Sequence, residues 1–168
     1  CNRGGRAVLA GLSFVLAAGK PVLLRGPNGV GKSTLLRALA GLVPCTGKVE
    51  IGNVALGDED WAEQLAYAGH LDAIKPQLSV AENLGFWAGL YGGDAGAALA
   101  VFELEPLAGR LAGDCSAGQK RRIGLARLAL AKRQLWLLDE PSTALDAAAT
   151  ALLAKHITAH CAAGGMAL

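Results

Sequence analysis

The sequence predicts an α/β domain in which helices cover parallel strands, and three observations indicate this fold class. A glycine-rich loop of the phosphate-binding type lies between an apolar segment, Val22–Leu24, and a segment of helical character, Thr34–Ala40. A continuous apolar run, Leu135–Leu138, is typical of a strand buried on both faces, and two acidic residues follow it. The composition is aliphatic, with 52% hydrophobic and 5% aromatic residues, which suits such a core.

Length and charge limit the classes of function. A chain of 168 residues predicts one domain, 1–168. A formal net charge of +2 gives no basic footprint for a nucleic-acid binder, so no nucleic-acid partner is predicted. The four cysteines are scattered without a C-x-x-C pair and indicate reduced thiols in a cytosolic chain. Both ends resemble cuts within a larger domain, because the chain begins at Cys1 and ends in what resembles the start of a strand, Gly165–Leu168.

Turn signals and apolar periodicity predict the elements in chain order. The predicted strands are Arg6–Leu9, Leu12–Leu16, Val22–Arg25, Val49–Ile51, Leu65–Ala68 and Leu135–Leu138. The predicted helices run from Ser33 to Gly41, over Glu59–Glu63, after Ser79, and over Ala95–Phe102, Leu104–Leu111, Gln119–Arg133 and Ala147–Ala163. Ser79 and Glu82 form a predicted capping box. Residues 72–114 are predicted to form a small helical subdomain inserted into the α/β core.

The glycine-rich loop matches the phosphate-loop pattern G-x-x-x-x-G-K-[ST] without a mismatch. Its predicted nucleotide-binding residues are Gly26, Pro27, Asn28, Gly29, Val30, Gly31, Lys32, Ser33 and Thr34. A tight loop at a helix N-terminus aims backbone N–H groups at one phosphate, and the helix dipole adds positive potential. Lys32 can reach the β- and γ-phosphates as a catalytic cation, and the Ser33 hydroxyl can ligate Mg²⁺.

Asp139 and Glu140 end the buried run and predict the second half of a nucleotide site. Asp139 can hold Mg²⁺ directly or through water, and Glu140 can orient or deprotonate the attacking water as the catalytic base. By themselves the two residues fit a solvated acidic turn equally well. The intact phosphate loop elsewhere in the chain favours the catalytic interpretation.

Several ordered motifs resemble those of the ATP-binding cassette (ABC) ATPases, over nearly the whole chain. Cys115-Ser116-Ala117-Gly118-Gln119 resembles the LSGGQ signature, and it precedes Leu137-Leu138-Asp139-Glu140-Pro141 at the spacing usual in that family. Ser142–Asp146 resembles the family's D-loop, and His70–Leu84 its Q-loop region. The resemblance implies a P-loop NTPase fold of the ABC type with ATP and Mg²⁺ as cofactors.

The signature implies a partner subunit. Ser116, Gly118 and Gln119 open a predicted helix and form a second phosphate-facing N-terminus. In the family this end meets the ATP held by a second subunit, so the resemblance implies a head-to-tail dimer with two sandwiched ATP molecules. The alternative is a plain capped helix.

Three positions depart from the family pattern: His70 replaces the Q-loop glutamine, Cys115 a leucine and Ala117 a glycine. Several segments along the chain resemble one subgroup, the ATP-binding subunit of the heme exporter of bacterial cytochrome c biogenesis (the CcmA family). They are Arg3-Gly4-Gly5-Arg6, Tyr67–His70, Glu82–Trp87, Ser116–Arg122 and Trp136–Pro141. His70 is expected to stand in for glutamine near Mg²⁺ and the membrane partner rather than to ligate heme.

A histidine pair and a basic run are both expected to be solvent-exposed surface and not binding sites. His156 and His160 have metal-ligand spacing on a helix, but an exposed helix end is expected instead. The basic run Lys120–Arg122 is expected to be a solvated helix face.

These expectations combine into a function. The resemblance implies a Mg²⁺-dependent ATPase subunit, peripheral on the cytoplasmic face of the bacterial inner membrane, that binds integral membrane permease subunits and contacts heme only indirectly. The alternatives are a soluble ABC ATPase, for example of the iron–sulfur assembly type, and a transporter of another substrate. A phosphate-loop kinase is disfavoured because it has no use for the signature at residues 115–119.

Overall fold

The computed structural model describes residues 1–3 and 6–168, with the strand residues 2, 3, 6 and 7 described by backbone alone. Gly4 and Gly5 of the Arg3–Arg6 motif lie outside the described residues. The chain forms two compact units. The first comprises Cys1–Tyr67, Arg133–Asp139 and His160–Leu168, and the second comprises Ala68–Lys132 and Glu140–Ala159. The helical subdomain over 72–114 falls within the second unit, and its bounds stay a prediction.

Seven short strands and six α-helices make up the regular structure of the described residues. The strands are β1 (Asn2–Arg3), β2 (Arg6–Ala7), β3 (Glu50–Ile51), β4 (Val54–Ala55), β5 (Leu65–Ala68), β6 (Leu135–Leu138) and β7 (Met166–Ala167). The helices are α1 (Lys32–Leu39), α2 (Trp61–Gln64), α3 (Val80–Tyr91), α4 (Ala95–Val101), α5 (Ala117–Leu130) and α6 (Ala147–Ala162). Two 3₁₀ turns lie at Glu105–Leu107 and Ala112–Asp114.

The first unit is built on a sheet whose strand order is β5-β6-β7. β6 and β7 pair in parallel, with Leu135 opposite Met166 and Trp136 opposite Ala167. All four residues of β6 are buried, as its continuous apolar sequence predicts. β1 with β2, and β3 with β4, form two antiparallel pairs.

α1 packs its apolar residues into the core of the first unit. That core consists of Leu35, Leu36, Leu39, Ile51, Trp61, Leu65, Leu135, Leu137, Met166 and Leu168. The Trp61 indole N–H donates to the Leu39 carbonyl at 3.1 Å and so satisfies one of the carbonyls left open at the helix end. The helix stops where Gly41 adopts a left-handed φ of +74°. Its apolar face is thereby fixed against the sheet strands.

The predictions of strands over Leu12–Leu16 and Val22–Arg25 are wrong. Val15 is 92% exposed and Leu23 is 70% exposed, so the segment that precedes the phosphate loop is not a buried strand. Its pairing with β7 is limited to a bridge between Pro21 and Ala167 and a bond from the Val22 N–H to the Ala167 carbonyl. A strand needs a partner for each successive pair of backbone groups. The Leu168 N–H and C=O are both bonded to β6.

The second unit is mainly helical, and its core is formed where α3, α4 and α5 meet. Its most buried apolar side chains include Val80, Leu84, Phe102, Leu104, Ile123 and Leu125. The predicted capping box of α3 is confirmed: the Glu82 N–H donates to Ser79 Oγ, and the Ser79 N–H donates to the Glu82 carboxylate. The predicted helix over 104–111 is only a single 3₁₀ turn. α5 begins two residues earlier and ends three residues earlier than predicted, because Ala131 is extended.

Candidate nucleotide site

The phosphate loop in the first unit turns at two glycines with left-handed backbones. Gly29 has a φ of +81° and Gly31 a φ of +107°, conformations that residues with a Cβ rarely adopt. A Cβ at Gly31 would also lie 3.0 Å from Cγ1 of Val8. α1 begins at the next residue, and a glycine N-cap has no side-chain acceptor for the first N–H groups. These donors remain available to an anion.

Lys32 folds its side chain back over the loop. Its Nζ donates to the carbonyl of Gly26 at 2.8 Å and to the carbonyl of Pro27 at 3.0 Å. The remaining predicted loop residues, Asn28 and Val30, are exposed. Thr34 is buried in α1. The ammonium group therefore stands where it can meet a phosphate at the loop.

Ser33 and Asp139 meet although 106 residues separate them in the sequence. The Ser33 hydroxyl donates to Oδ1 of Asp139 at 2.8 Å. Asp139 is only 7% exposed, at the carboxyl end of buried β6. Sequence analysis assigned both residues to one Mg²⁺, and the first unit brings their oxygens into direct contact. Hydroxyl and carboxylate oxygens are ligands that Mg²⁺ prefers.

Tyr67, to which the sequence patterns gave no role in the site, adds a third side chain to this cluster. Tyr67, in β5, donates its phenolic hydrogen to Oδ2 of Asp139 at 3.3 Å. Burial holds the pKa of Tyr67 above its usual range, while a hydrogen bond from Arg37 acts in the opposite direction. The phenol therefore stays protonated at neutral pH and can donate to the carboxylate. Tyr67 thus restricts the rotation of Asp139 about its side-chain bonds.

The predicted catalytic base, Glu140, belongs to the second unit. Its side chain is exposed and its backbone has a φ of +47°, which is uncommon for a residue with a Cβ. Its carbonyl accepts a hydrogen bond from the Thr143 N–H at 3.1 Å. A sharp turn thus follows β6 and presents the carboxylate to solvent.

The signature residues open α5 in the second unit. Ser116 Oγ accepts from the Gln119 N–H at 3.2 Å, and Gln119 Oε1 accepts from the Ser116 N–H at 2.8 Å. These residues and the following D-loop border a cavity of about 320 Å³, lined in part by Ser116, Gly118, Gln119, Ala144, Leu145 and Asp146. Gly118 is required here, because a Cβ would lie 2.8 Å from the Ala144 carbonyl. The signature and the D-loop thus form one surface.

His70 and Arg121, both considered from the sequence, lie in the second unit. His70, at the Q-loop position, is exposed in the second unit. The expectation that Lys120–Arg122 is a solvated face is wrong for Arg121, which is 5% exposed. The signal that could have revealed it is helical spacing, since Arg121 shares a face with buried Leu125 and Leu128, four and seven residues on.

The two histidines of α6 each use a ring nitrogen on a backbone carbonyl. Nε2 of His156 lies 3.0 Å from the Val101 carbonyl, and Nε2 of His160 lies 3.1 Å from the Met166 carbonyl. Both are partly buried, so the expected exposed helix end is wrong. Their spacing reflects packing in this fold.

Comparison with known proteins identifies the family. The sequence profile described as ABC transporter matches residues 9–143. The chain belongs to the ABC transporter family. A family relative named "Cytochrome c biogenesis ATP-binding export protein CcmA", from Ruegeria sp. (strain TM1040), is 52% identical over 99% of this chain and 78% of its own length. The protein of the same name from Ruegeria pomeroyi is 54% identical over the same shares of the two chains.

Solved structures of the family agree with the fold. A structure titled "Structure of ATP binding subunit of ABC transporter" superposes with a TM-score of 0.87 at 28% identity, covering 99% of this chain and 74% of that chain. The predicted fold class, a P-loop NTPase of the ABC type, is therefore confirmed. As a member of this family, the chain is an ATP-binding, ATP-hydrolysing subunit. Within the described residues, no helix has the length and apolar character needed to span a bilayer.

Proposed function

We propose that this chain is the Mg²⁺-dependent ATPase subunit of a membrane ABC complex that serves cytochrome c biogenesis. The observation that carries the biological role is about 50% identity, over nearly the whole chain, to proteins named as cytochrome c biogenesis export ATPases. ATP hydrolysis drives heme export or the release of a heme-loaded chaperone, and the ATPase itself touches heme only indirectly. The subunit sits peripherally on the cytoplasmic face of the inner membrane.

The observation that supports the chemistry is the contact between Ser33 and Asp139. Their oxygens are 2.8 Å apart and belong to the residue types that suit Mg²⁺. Ser33 would ligate the ion directly, and Asp139 would hold it directly or through a water. An ion held by these residues would supply positive charge to the β- and γ-phosphates. The hydrogen bond from Tyr67 holds the buried Asp139 carboxylate in one orientation, which suits that purpose.

The phosphate loop binds and orients ATP. The uncapped N-terminus of α1 donates backbone hydrogen bonds to phosphate oxygens, and Lys32 exchanges its loop carbonyls for the β- and γ-phosphates. Glu140 accepts a proton from the attacking water or orients it in line with the γ-phosphate. Phosphoryl transfer needs mainly positioning and charge stabilisation, and these residues supply both.

The signature surface of the second unit serves a partner subunit. Ser116, Gly118 and Gln119 contact the γ-phosphate of ATP held by a second ATPase subunit in a head-to-tail dimer. The cavity they share with the D-loop supports this role. ATP binding closes the dimer, and hydrolysis reopens it. His70, beside the segment that meets the membrane subunits, relays this change to the permease.

Replacing Glu140 by Gln tests the proposal. The variant keeps the shape of the site but removes the base, so we expect ATP binding to persist while turnover falls by at least about 100-fold. The closed dimer then accumulates with Mg-ATP. We would purify the full-length variant from detergent-solubilised membranes of the source cells, identify the co-purifying proteins and record the visible absorption spectrum. The matched control is the same purification without nucleotide.

The outcomes separate the alternatives. Polytopic membrane subunits with a heme absorption band support the whole proposal. Membrane subunits without heme indicate an ABC transporter of another substrate. Soluble partners alone would overturn the transport role and indicate a soluble ABC ATPase. Turnover equal to that of the parent would overturn the role of Glu140.

A further inference from the structure

A buried arginine in the second unit connects three parts of the chain that are far apart in sequence. Arg121, in α5, is 5% exposed. Its Nη1 donates to the Gly69 carbonyl at 2.7 Å and to Oδ1 of Asp72 at 3.0 Å. Its Nε donates to the Pro141 carbonyl at 3.1 Å, and its Nη2 to the Glu140 carbonyl at 3.1 Å. One guanidinium thus joins the Q-loop segment, the signature helix and the turn that carries Glu140.

The charge of Arg121 is paired with the carboxylate of Asp72, whose Oδ1 lies 3.0 Å from Nη1. A buried guanidinium is tolerated when it is paired and hydrogen-bonded, and this one has a carboxylate partner and donates to three backbone carbonyls. The Asp72 backbone is pressed against α5, because a Cβ at Gly124 would lie 2.8 Å from the Asp72 carbonyl oxygen. The position of the segment from Gly69 to Asp72 is therefore fixed relative to Arg121.

Arg121 also donates a hydrogen bond to the carbonyl of Glu140, the predicted catalytic base. Glu140 has a left-handed backbone, with a φ of +47°. Residues with a Cβ keep such a conformation only when their surroundings hold them in it. The Glu140 carbonyl receives two donors, Arg121 Nη2 and the Thr143 N–H. Rotation of this peptide group would break both bonds and redirect the Glu140 side chain.

We propose that Arg121 is a positioning residue for hydrolysis, which orients Glu140 through its backbone and ties that orientation to the segment Gly69–Asp72. This proposal rests on the proposed catalytic role of Glu140. Displacement of the segment withdraws the Asp72 carboxylate from Arg121, and the guanidinium then loses its hold on the turn after β6. ATP hydrolysis thereby depends on the placement of the Q-loop segment. Arg121 touches neither water nor phosphate in this scheme.

The first test compares kcat with KM for ATP in the full-length ATPase within its membrane complex. Arg121→Lys keeps the charge but cannot reproduce the planar fork that reaches four acceptors. We expect kcat to fall by about 10- to 100-fold while KM stays unchanged, because the phosphate loop is untouched. Asp72→Asn removes only the charge partner and should give a smaller loss of kcat in the same direction. It also serves if Arg121→Lys fails to fold.

A matched control comes from the same helix. Arg127 is partly buried and lies over the Trp87 ring, with its guanidinium carbon 5.3 Å from the ring centroid. Arg127→Lys makes the same chemical change at a position away from the Glu140 turn. We expect it to lower the thermal unfolding temperature while kcat stays equal to that of the parent. If kcat follows the unfolding temperature in all three variants, the effect of Arg121 is one of stability alone and the proposal is overturned.

The second test repeats Arg121→Lys in the Glu140→Gln background under single-turnover conditions. Because the group that Arg121 positions is already absent there, we expect no further loss of the residual rate. The same fold-loss in both backgrounds would contradict the proposal. Turnover of Glu140→Gln equal to that of the parent would remove the catalytic role of Glu140 and this proposal with it. Normal kcat in Arg121→Lys beside an inactive Glu140→Gln overturns this proposal alone.

Discussion

Two helix N-termini carry the residues expected to face phosphate, and their capping differs. α1 follows Gly31, which has no side chain to accept its first N–H groups. α5 follows Ser116, whose Oγ accepts from the Gln119 N–H while Gln119 returns a bond to the Ser116 N–H. The first helix end therefore needs an external acceptor, whereas the second already satisfies two of its donors.

This difference indicates different tasks for the two ends. The N–H groups at the uncapped end of α1 find hydrogen-bond acceptors only when a ligand binds, as expected for the primary site of a nucleotide. A self-capped end keeps its shape without a ligand and offers mainly the hydroxyl hydrogen of Ser116 and nearby backbone groups. Such a surface suits recognition of a nucleotide that another subunit holds. Changes at the N-terminus of α1 should therefore lower the affinity for ATP, whereas changes at the N-terminus of α5 should lower turnover.

The largest effect is expected at the first end. Lys32→Ala removes the cation that lies over the phosphate loop, and we expect affinity for Mg-ATP to fall by at least about 100-fold, since charge-assisted contacts to phosphate are strong. Lys32 Nζ contacts only exposed loop carbonyls, so the fold should persist. Isothermal titration with ATP, paired with a thermal unfolding curve, measures both. Affinity equal to that of the parent would contradict the assignment of the loop.

At the N-terminus of α5, a smaller effect is expected, and it affects both stability and turnover. Ser116→Ala removes the cap of α5 and its hydroxyl donor, so unfolding free energy should fall by about 1 kcal/mol and turnover by about 10-fold. ATP affinity of the isolated subunit should not change. Ser116→Asp restores a cap but places negative charge at the phosphate-facing end, so stability should return while turnover does not. Recovery of both properties together would mean that Ser116 acts only as a cap.

α3 provides the matched control for this experiment. Ser79 caps α3 with the same reciprocal bonds to Glu82, outside the signature surface. Ser79→Ala should cost about 1 kcal/mol of unfolding free energy, as for Ser116, because the lost bonds are equivalent. Steady-state ATP hydrolysis should equal that of the parent. A parallel loss of turnover would show that any weakened cap in the second unit impairs hydrolysis.

Local sequence patterns predicted the contact between Ser33 and Asp139 better than they predicted which segments are buried. The phosphate loop and the acidic pair after β6 are short patterns whose function requires their spacing, and Ser33 and Asp139 indeed meet. The strand over Val22–Arg25 failed because burial depends on partners elsewhere, and β7 supplies only the Ala167 pairing. Apolar sequence alone cannot report how many partners a strand will find.

The supporting residues were missed for a related reason. Tyr67 acts on Asp139 across 72 residues, a distance at which no sequence pattern reports a contact. Arg121 lies in a basic run, and charge composition favoured solvent exposure over the helical spacing that places it on the buried face. The residue type indicates only the usual exposure of an arginine, whereas helical spacing indicates which face of the helix the residue occupies. For Arg121, helical spacing gave the correct prediction.

The smallest expected effect is a difference in pH dependence between the capping boxes of α3 and α5. The backbone N–H and hydroxyl of Ser79 hold the pKa of Glu82 below its ordinary value of 4.5. The folded state therefore binds this proton less tightly than the unfolded state, so the contribution of Glu82 is complete above pH 4.5 and is lost as pH falls through the lowered pKa. The corresponding residue of α5, Gln119, does not titrate. Amide hydrogen exchange should thus show the N-terminus of α3 losing protection in acid before that of α5.

Glu82→Gln is the decisive variant, because it gives α3 the same uncharged box that α5 has. We expect the acid-dependent loss of protection at the Ser79 and Glu82 N–H groups to disappear, while exchange at the Ser116 and Gln119 N–H groups keeps its parental pH dependence. If α3 still opens in acid before α5, another carboxylate controls that helix end. If both ends open together in the parent, the two boxes respond to global acid unfolding. If only α3 loses amide protection in acid, the two capping boxes differ in their response to pH because Glu82 titrates and Gln119 does not.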